Sequence, residues 1–368
     1  MTGDTKGATV DTPEAGAADM RGGLAASRGT LARLGTVLLA TLIGLVVFLV
    51  FYLTSSGGYV TRGAEVMDGL APVLAINGPG HGGIPDFHRP MGAAFGRDGR
   101  IYVSDTENNR IAVFSQRGRF LFDFGGFGFT KPLPGVDATW EEGLLNSPLG
   151  IDVDENGDVY VADFRNDQIQ VFDAQGNFLR RFPDPHEIVG RGASGQDGTG
   201  IAVTDVALWG DFVYALDSYQ IVVFTKAGQF VRQFGRPGSG PGEFEHPNGI
   251  DIMPDSTVVV ADSNNGRVQA LTLDGVFLWE TGVRGGTEYE FGLPRGVAAV
   301  DDGTIVVVDA FEHNIVLLDA AGNVIGSHGM RGVAPAQLNF PNGVDTADDL
   351  LLVTDKENDR IQVLRINP

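Results

Sequence analysis

The stretch from Pro90 to Gly126, PMGAAFGRDGRIYVSDTENNRIAVFSQRGRFLFDFGG, decides how this chain folds. It opens on Pro-x-Gly, enters a short apolar run, breaks at a polar turn and resumes as a strand that ends at Asp105. A second polar turn, TENNR, leads to the strand IAVF, and after Gly118 comes a fourth, RFLFDF. Short runs of alternating apolar residues bounded by Gly, Asn and Asp read as antiparallel strands joined by tight turns. The unit is therefore a four-stranded meander.

The same unit recurs along the chain. Pro-x-Gly stands at Pro90, Pro148, Pro247, Pro294 and Pro341, and the strand that follows its first turn ends at Asp105, Asp163, Asp262, Asp309 and Asp355. A sixth copy has its Asp at Asp217 but carries Val203 and Thr204 where the motif would be. The turn before the fourth strand holds Gly118, Gly176, Gly228, Gly275 and Gly322. Four-stranded repeats of this size indicate propeller blades, and six of them predict an all-β, six-bladed β-propeller over residues 72–368. The last copy reaches Pro368 without its fourth strand, and the fourth-strand-like segment PVLAINGPG begins at Pro72. Residues 73–77 are accordingly expected to pair onto the last blade, which removes an open sheet edge.

The Pro-x-Gly motif followed by VSDTENNRIAVFSQRGRFLFDFGG resembles the NHL repeat, and the resemblance covers about residues 72–368. It implies a six-bladed propeller of a kind found as ligand-binding modules and as extracytoplasmic parts of bacterial membrane proteins. Related six-bladed groups include the peptidyl-hydroxyglycine amidating lyases and the gluconolactonase-like hydrolases. The resemblance to those groups implies metal ligands near the axis, often at the middle residue of Pro-x-Gly. Here those residues are Met91, Leu149, Asn248, Arg295 and Asn342, with Val203 in the sixth copy. None is His, which argues against a lyase-type zinc centre. Arg295 between two Asn residues would repel the divalent cation of a lactonase.

Composition narrows the function further. The 368 residues carry 26 basic and 47 acidic side chains, a net charge of -21, and no cysteine. That excludes disulfides, thiolate metal sites and Cys nucleophiles. An acidic surface also repels nucleic acid, so no nucleic-acid partner is expected. Residues 1–60 hold four bases and four acids, so the whole excess of acid belongs to the later domain. Leu34 to Leu53, LGTVLLATLIGLVVFLVFYL, is twenty uncharged residues, the length of a membrane-spanning helix. Arg21, Arg28 and Arg33 precede it, so the positive-inside bias puts the N-terminus in the cytoplasm. The expected order is a disordered cytoplasmic tail (1–33), a transmembrane helix (34–54), a tether (55–71) and the extracytoplasmic propeller (72–368). Cleavage of the apolar segment as a signal is the alternative.

No G-x-S-x-G elbow or P-loop occurs, and no catalytic residue, metal or cofactor is assigned. The six repeat residues Asp105, Asp163, Asp217, Asp262, Asp309 and Asp355 read as structural, because a catalytic group is needed once and not six times. Asp105, Asp262 and Asp355 each stand five residues before an Arg, an acid and a base brought together across one hairpin. Asymmetry around the ring is the functional signal. Met91 and Leu149 are apolar, whereas Asn248, Arg295 and Asn342 form a polar arc, with His246 nearby. These four residues are the candidate ligand site at a channel mouth, with Arg295 as the charged anchor. Two long connections, Phe127–Pro148 and Pro183–Gly200, are further candidates for recognition. The function expected is a membrane-anchored extracytoplasmic propeller acting as a binding or scaffold module for a protein, peptide or glycan ligand. A lactonase-like hydrolase or lyase with an atypical metal site is the alternative.

Overall fold

The computed structural model describes residues 70–80, 86–129, 141–183, 201–282 and 289–366, which lie within one compact unit. The expected tail, transmembrane helix and most of the tether fall outside the described residues, as do His81, His186 and much of both long connections. Among the described residues no helix is long and apolar enough to cross a membrane.

Twenty-four strands form six four-stranded antiparallel sheets. The innermost strands are β2 (Gly92–Phe95), β6 (Pro148–Val153), β10 (Asp205–Trp209), β14 (Gly249–Ile252), β18 (Pro294–Ala299) and β22 (Val344–Ala347). Each packs beside the next, and β22 packs beside β2, which closes the ring. We number the blades 1 to 6 by these strands. The outermost strand of blade 6 is β1 (Leu70–Ile76), antiparallel to β24 (Arg360–Ile366) with Ala75 opposite Gln362. The two ends of the propeller are thereby joined in one sheet.

The core is divided among the six interblade interfaces. One cluster joins Tyr160, Ile169 and Val171 of blade 2 to Val206, Val213 and Phe224 of blade 3. Another joins Val103 and Phe114 of blade 1 to Leu352 and Ile361 of blade 6. Aromatic rings close these interfaces: the ring centroids of Phe124 in blade 1 and Phe172 in blade 2 lie 4.7 Å apart. Pro-x-Gly acquires its reason at the axis. A Cβ on Gly343 would stand 2.6 Å from the Met91 carbonyl oxygen of the next blade, and one on Gly296 would stand 2.6 Å from the Asn342 carbonyl oxygen. Only glycine lets the innermost strands approach this closely.

Candidate functional site

The repeat aspartates tie each blade to its own entrance. Asp262 accepts the Glu245 N–H at 2.9 Å on one oxygen, and Asn265, Arg267 and Gln269 on the other. Asp105 does the same with the His88 N–H, Asn108 and Arg110, and Asp355 with the Asn339 N–H, Asn358, Arg360 and Gln362. In blade 2 the partners are neutral: Asn166, Gln168 and Gln170 surround Asp163, and burial pushes its carboxyl up to about 6. Asp217 and Asp309 receive backbone N–H groups of the segments leading into their blades. Every one of the six is fully buried and faces structural partners.

A second set of aspartates lines the channel, and sequence reasoning missed it. Asp152, Asp251 and Asp345 occupy the same register in blades 2, 4 and 6. Ala94, Ala207 and Ala298 hold that register in blades 1, 3 and 5. Each carboxylate bridges two blades. Asp152 accepts the N–H of Val153 at 2.7 Å and of Leu208 at 2.9 Å. Asp251 accepts Ile252 and Ala299, and Asp345 accepts Thr346 and Phe95, all at 2.7 Å. Three side chains thus satisfy one inward-facing N–H from all six inner strands, groups that otherwise lack a sheet partner. Asp205 of blade 3 makes a further bridge, to Val206 and Ile250.

These four carboxyls line a narrow channel of about 60 Å³, where they are half-buried and the surrounding strands leave them little room for hydration. Burial, and secondarily repulsion by the other channel aspartates, pushes Asp345 up to about 7 and Asp205 up to about 8. Burial alone raises Asp251 to about 6, and burial with repulsion from Asp345 and Asp251 carries Asp152 well above its ordinary range. The signal was present in the sequence as PLGID, PNGID and PNGVD against PMGAA and PRGVA.

One end of the channel opens into a cavity of about 460 Å³. His246, Asn248 and Arg295 line it, together with Met91, Leu149, Phe164, Arg89, Arg165 and Lys356. Asn342 does not line this cavity. It lies deeper in the channel, and its Nδ2 donates to the Met91 carbonyl oxygen at 3.0 Å, which fastens blade 6 to blade 1. Arg295 is half-buried with no hydrogen bond or ion pair to any described residue, and burial alone depresses its pKa. The Asn248 Oδ1 is buried without a hydrogen-bond partner among the described residues. His246, at φ 47°, holds the rim, its Nε2 3.2 Å from the Tyr219 hydroxyl.

The residues present do not fit a divalent cation. Among the described residues no three of His, Asp and Glu are placed to hold one. Both oxygens of each channel aspartate are already engaged by backbone N–H groups, and the cavity above carries a guanidinium.

Fold and channel define a closed six-bladed propeller, with Arg89, Arg165, Arg295 and Lys356 at the mouth described above. NHL repeats match residues 87–114 and 145–172, and a family described as a 6-bladed beta-propeller matches residues 199–283. The described residues form a six-bladed β-propeller that carries NHL repeats. It is 28% identical to the B-box type zinc finger protein ncl-1 of Caenorhabditis elegans over 162 residues, 44% of this chain and 17% of that protein. It is 26% identical over 221 residues to the probable peptidyl-alpha-hydroxyglycine alpha-amidating lyase pgal-1 of the same organism, 54% of each chain. The chain thus spans well under two thirds of either relative. A gluconolactonase structure from Xanthomonas campestris superposes with a TM-score of 0.55 at 15% identity, over 84% of this chain and 93% of that one, a likeness of fold.

Proposed function

We propose that this propeller is a ligand-binding module whose site is the cavity at the channel mouth, and that the apolar segment 34–53 holds it at a membrane with the propeller outside the cytoplasm. The observation that carries the reading is Arg295. A half-buried guanidinium with no partner among the described residues is costly, and a bound anionic group would offset that cost. The unpartnered Asn248 Oδ1 beside it offers a hydrogen-bond acceptor to the same ligand. Thermal-shift screening of the full-length chain against sugars, nucleotides, peptides and organic acids tests this. Ligands bound at the mouth should weaken at least about tenfold in Arg295→Gln. Ligands that bind the variant as tightly as the native chain would place the site elsewhere.

A second reading, a lyase or hydrolase, has one observation in its favour. The Tyr219–His246 pair, with ring centroids 4.9 Å apart, sets a titratable group at the rim of the same cavity. Turnover of a bound ligand, lost in His246→Ala while binding persists, would support that reading over simple binding.

A further inference from the structure

We infer that the ligand of this cavity is a monocarboxylate on an apolar body. The inference rests on reading the mouth as the binding site, and it concerns the chemistry of what enters.

Charge balance sets the number of negative charges. Arg89 pairs with Glu357 at 2.6 Å, and its backbone N–H donates to Asp359 at 2.7 Å. Lys356 reaches the same Glu357 at 3.2 Å. Two cations therefore face two carboxylates on the blade 6 side. On the rim, exposed Arg165 is matched in number by exposed Glu107. Among the described residues Arg295 alone is left over, so one negative charge neutralises this wall. A dianion would bring surplus negative charge towards Asp152, Asp251 and Asp345 beneath, where the carboxyls already repel one another. The flat fork of a guanidinium matches a carboxylate with two parallel hydrogen bonds.

Position around the ring sets the rest of the ligand. Arg295 is on blade 5, and blade 5 faces blade 2 across the axis. Blade 2 supplies Leu149 and Phe164, and Met91 of blade 1 adjoins them. A ligand anchored at Arg295 therefore extends its other end onto an apolar wall. At about 460 Å³ the cavity lies in the lower part of the range for small-molecule sites, enough for a carboxylate and a modest hydrocarbon or aromatic group. Lys356, whose ammonium is disfavoured first by burial and then by the charges of Arg89 and Arg295, would be relieved by a carboxylate at this point.

The same chemistry comes from a free organic acid or from the C-terminus of an apolar peptide. Calorimetry on the full-length chain would compare 3-phenylpropanoate, its amide, acetate, inorganic phosphate, and acetyl-Leu-Phe as free acid and as amide. The expected result is that 3-phenylpropanoate binds at least about tenfold tighter than its amide and than acetate or phosphate. In Arg295→Gln the preference for acid over amide should disappear. In Leu149→Ser the preference for the apolar body over acetate should shrink while acid over amide persists. Arg295→Lys, which keeps the charge but not the fork, should retain part of the acid preference and guards against a folding defect. Tighter binding of the peptide acid than of 3-phenylpropanoate identifies a chain terminus as the source, and the reverse identifies a free acid. Equal affinity for acid and amide, or tighter binding of phosphate, overturns the inference. A neutral sugar whose binding depends on Arg295 would overturn it too while leaving the binding site itself in place.

Discussion

Buried acid–base pairs at the repeat Asp differ sharply from pairs at the surface. Asp262 is fully buried and receives four hydrogen bonds, one from the backbone and three from side chains, so its removal leaves donors of two segments unmatched. Asp262→Ala is expected to cost about 3 kcal/mol, read as a lower urea midpoint with an unchanged slope. The Arg89–Glu357 pair has side chains 46% and 34% exposed, and Glu357→Gln should change stability by less than about 1 kcal/mol. The spacing of Asp and Arg across one hairpin was legible in the sequence because it is local. That Arg295 has no partner among the described residues was not, because its neighbours come from other blades.

Among elements, the inner strands are the ones held by side chains. Their inward N–H groups have no further strand to pair with, and one carboxylate serves two blades. An Asn in place of Asp251 offers one accepting oxygen where two are used, and leaves the N–H of Ile252 or Ala299 without its bond. Asp251→Asn is expected to destabilise by about 1–3 kcal/mol and to loosen the blade 4–blade 5 junction, visible as faster amide exchange at Ala299. Alternation of Asp and Ala around the ring appears in the sequence as a letter after Pro-x-Gly. Its meaning appears only when six strands converge on one axis.

Across the whole molecule, the raised carboxyls set the pH dependence. Asp163 and Asp251 titrate near 6, Asp345 near 7 and Asp205 near 8 in the folded chain, against about 4 when unfolded. The folded state therefore binds more protons. Stability from these groups is fully present below about pH 4 and is lost as pH rises through 6 to 8. The thermal midpoint should be higher at pH 5.5 than at pH 8.5, and that difference should shrink in Asp345→Ala. A midpoint that climbs with pH over this range would contradict the burial of these groups. Ring closure is the other molecular property. Deleting residues 70–76 uncovers the edge of β24 (Arg360–Ile366), and aggregation on gentle heating should increase markedly. The proposed membrane attachment predicts that the intact chain sediments with membranes and that deleting residues 34–53 moves it into the soluble fraction; an intact chain that stays soluble would overturn it.

By itself the sequence determined the blades: two-residue alternation, glycine turns and the recurring Asp are short-range features, and every blade but the sixth is built from one continuous stretch of chain. Repetition then determined their number, because identical units that cannot bury both faces alone must stack, and the segment at Pro72 shows how the stack is closed. Tertiary structure decided what the blades enclose. Asn342 turned out to be a clasp on Met91, the channel acquired four bridging aspartates, and His246, Asn248 and Arg295 came together at a mouth they share with Leu149 and Phe164. Those relations depend on angle around an axis that no local spacing encodes, and the partial burial of the Arg295 guanidinium exists only once the ring has closed.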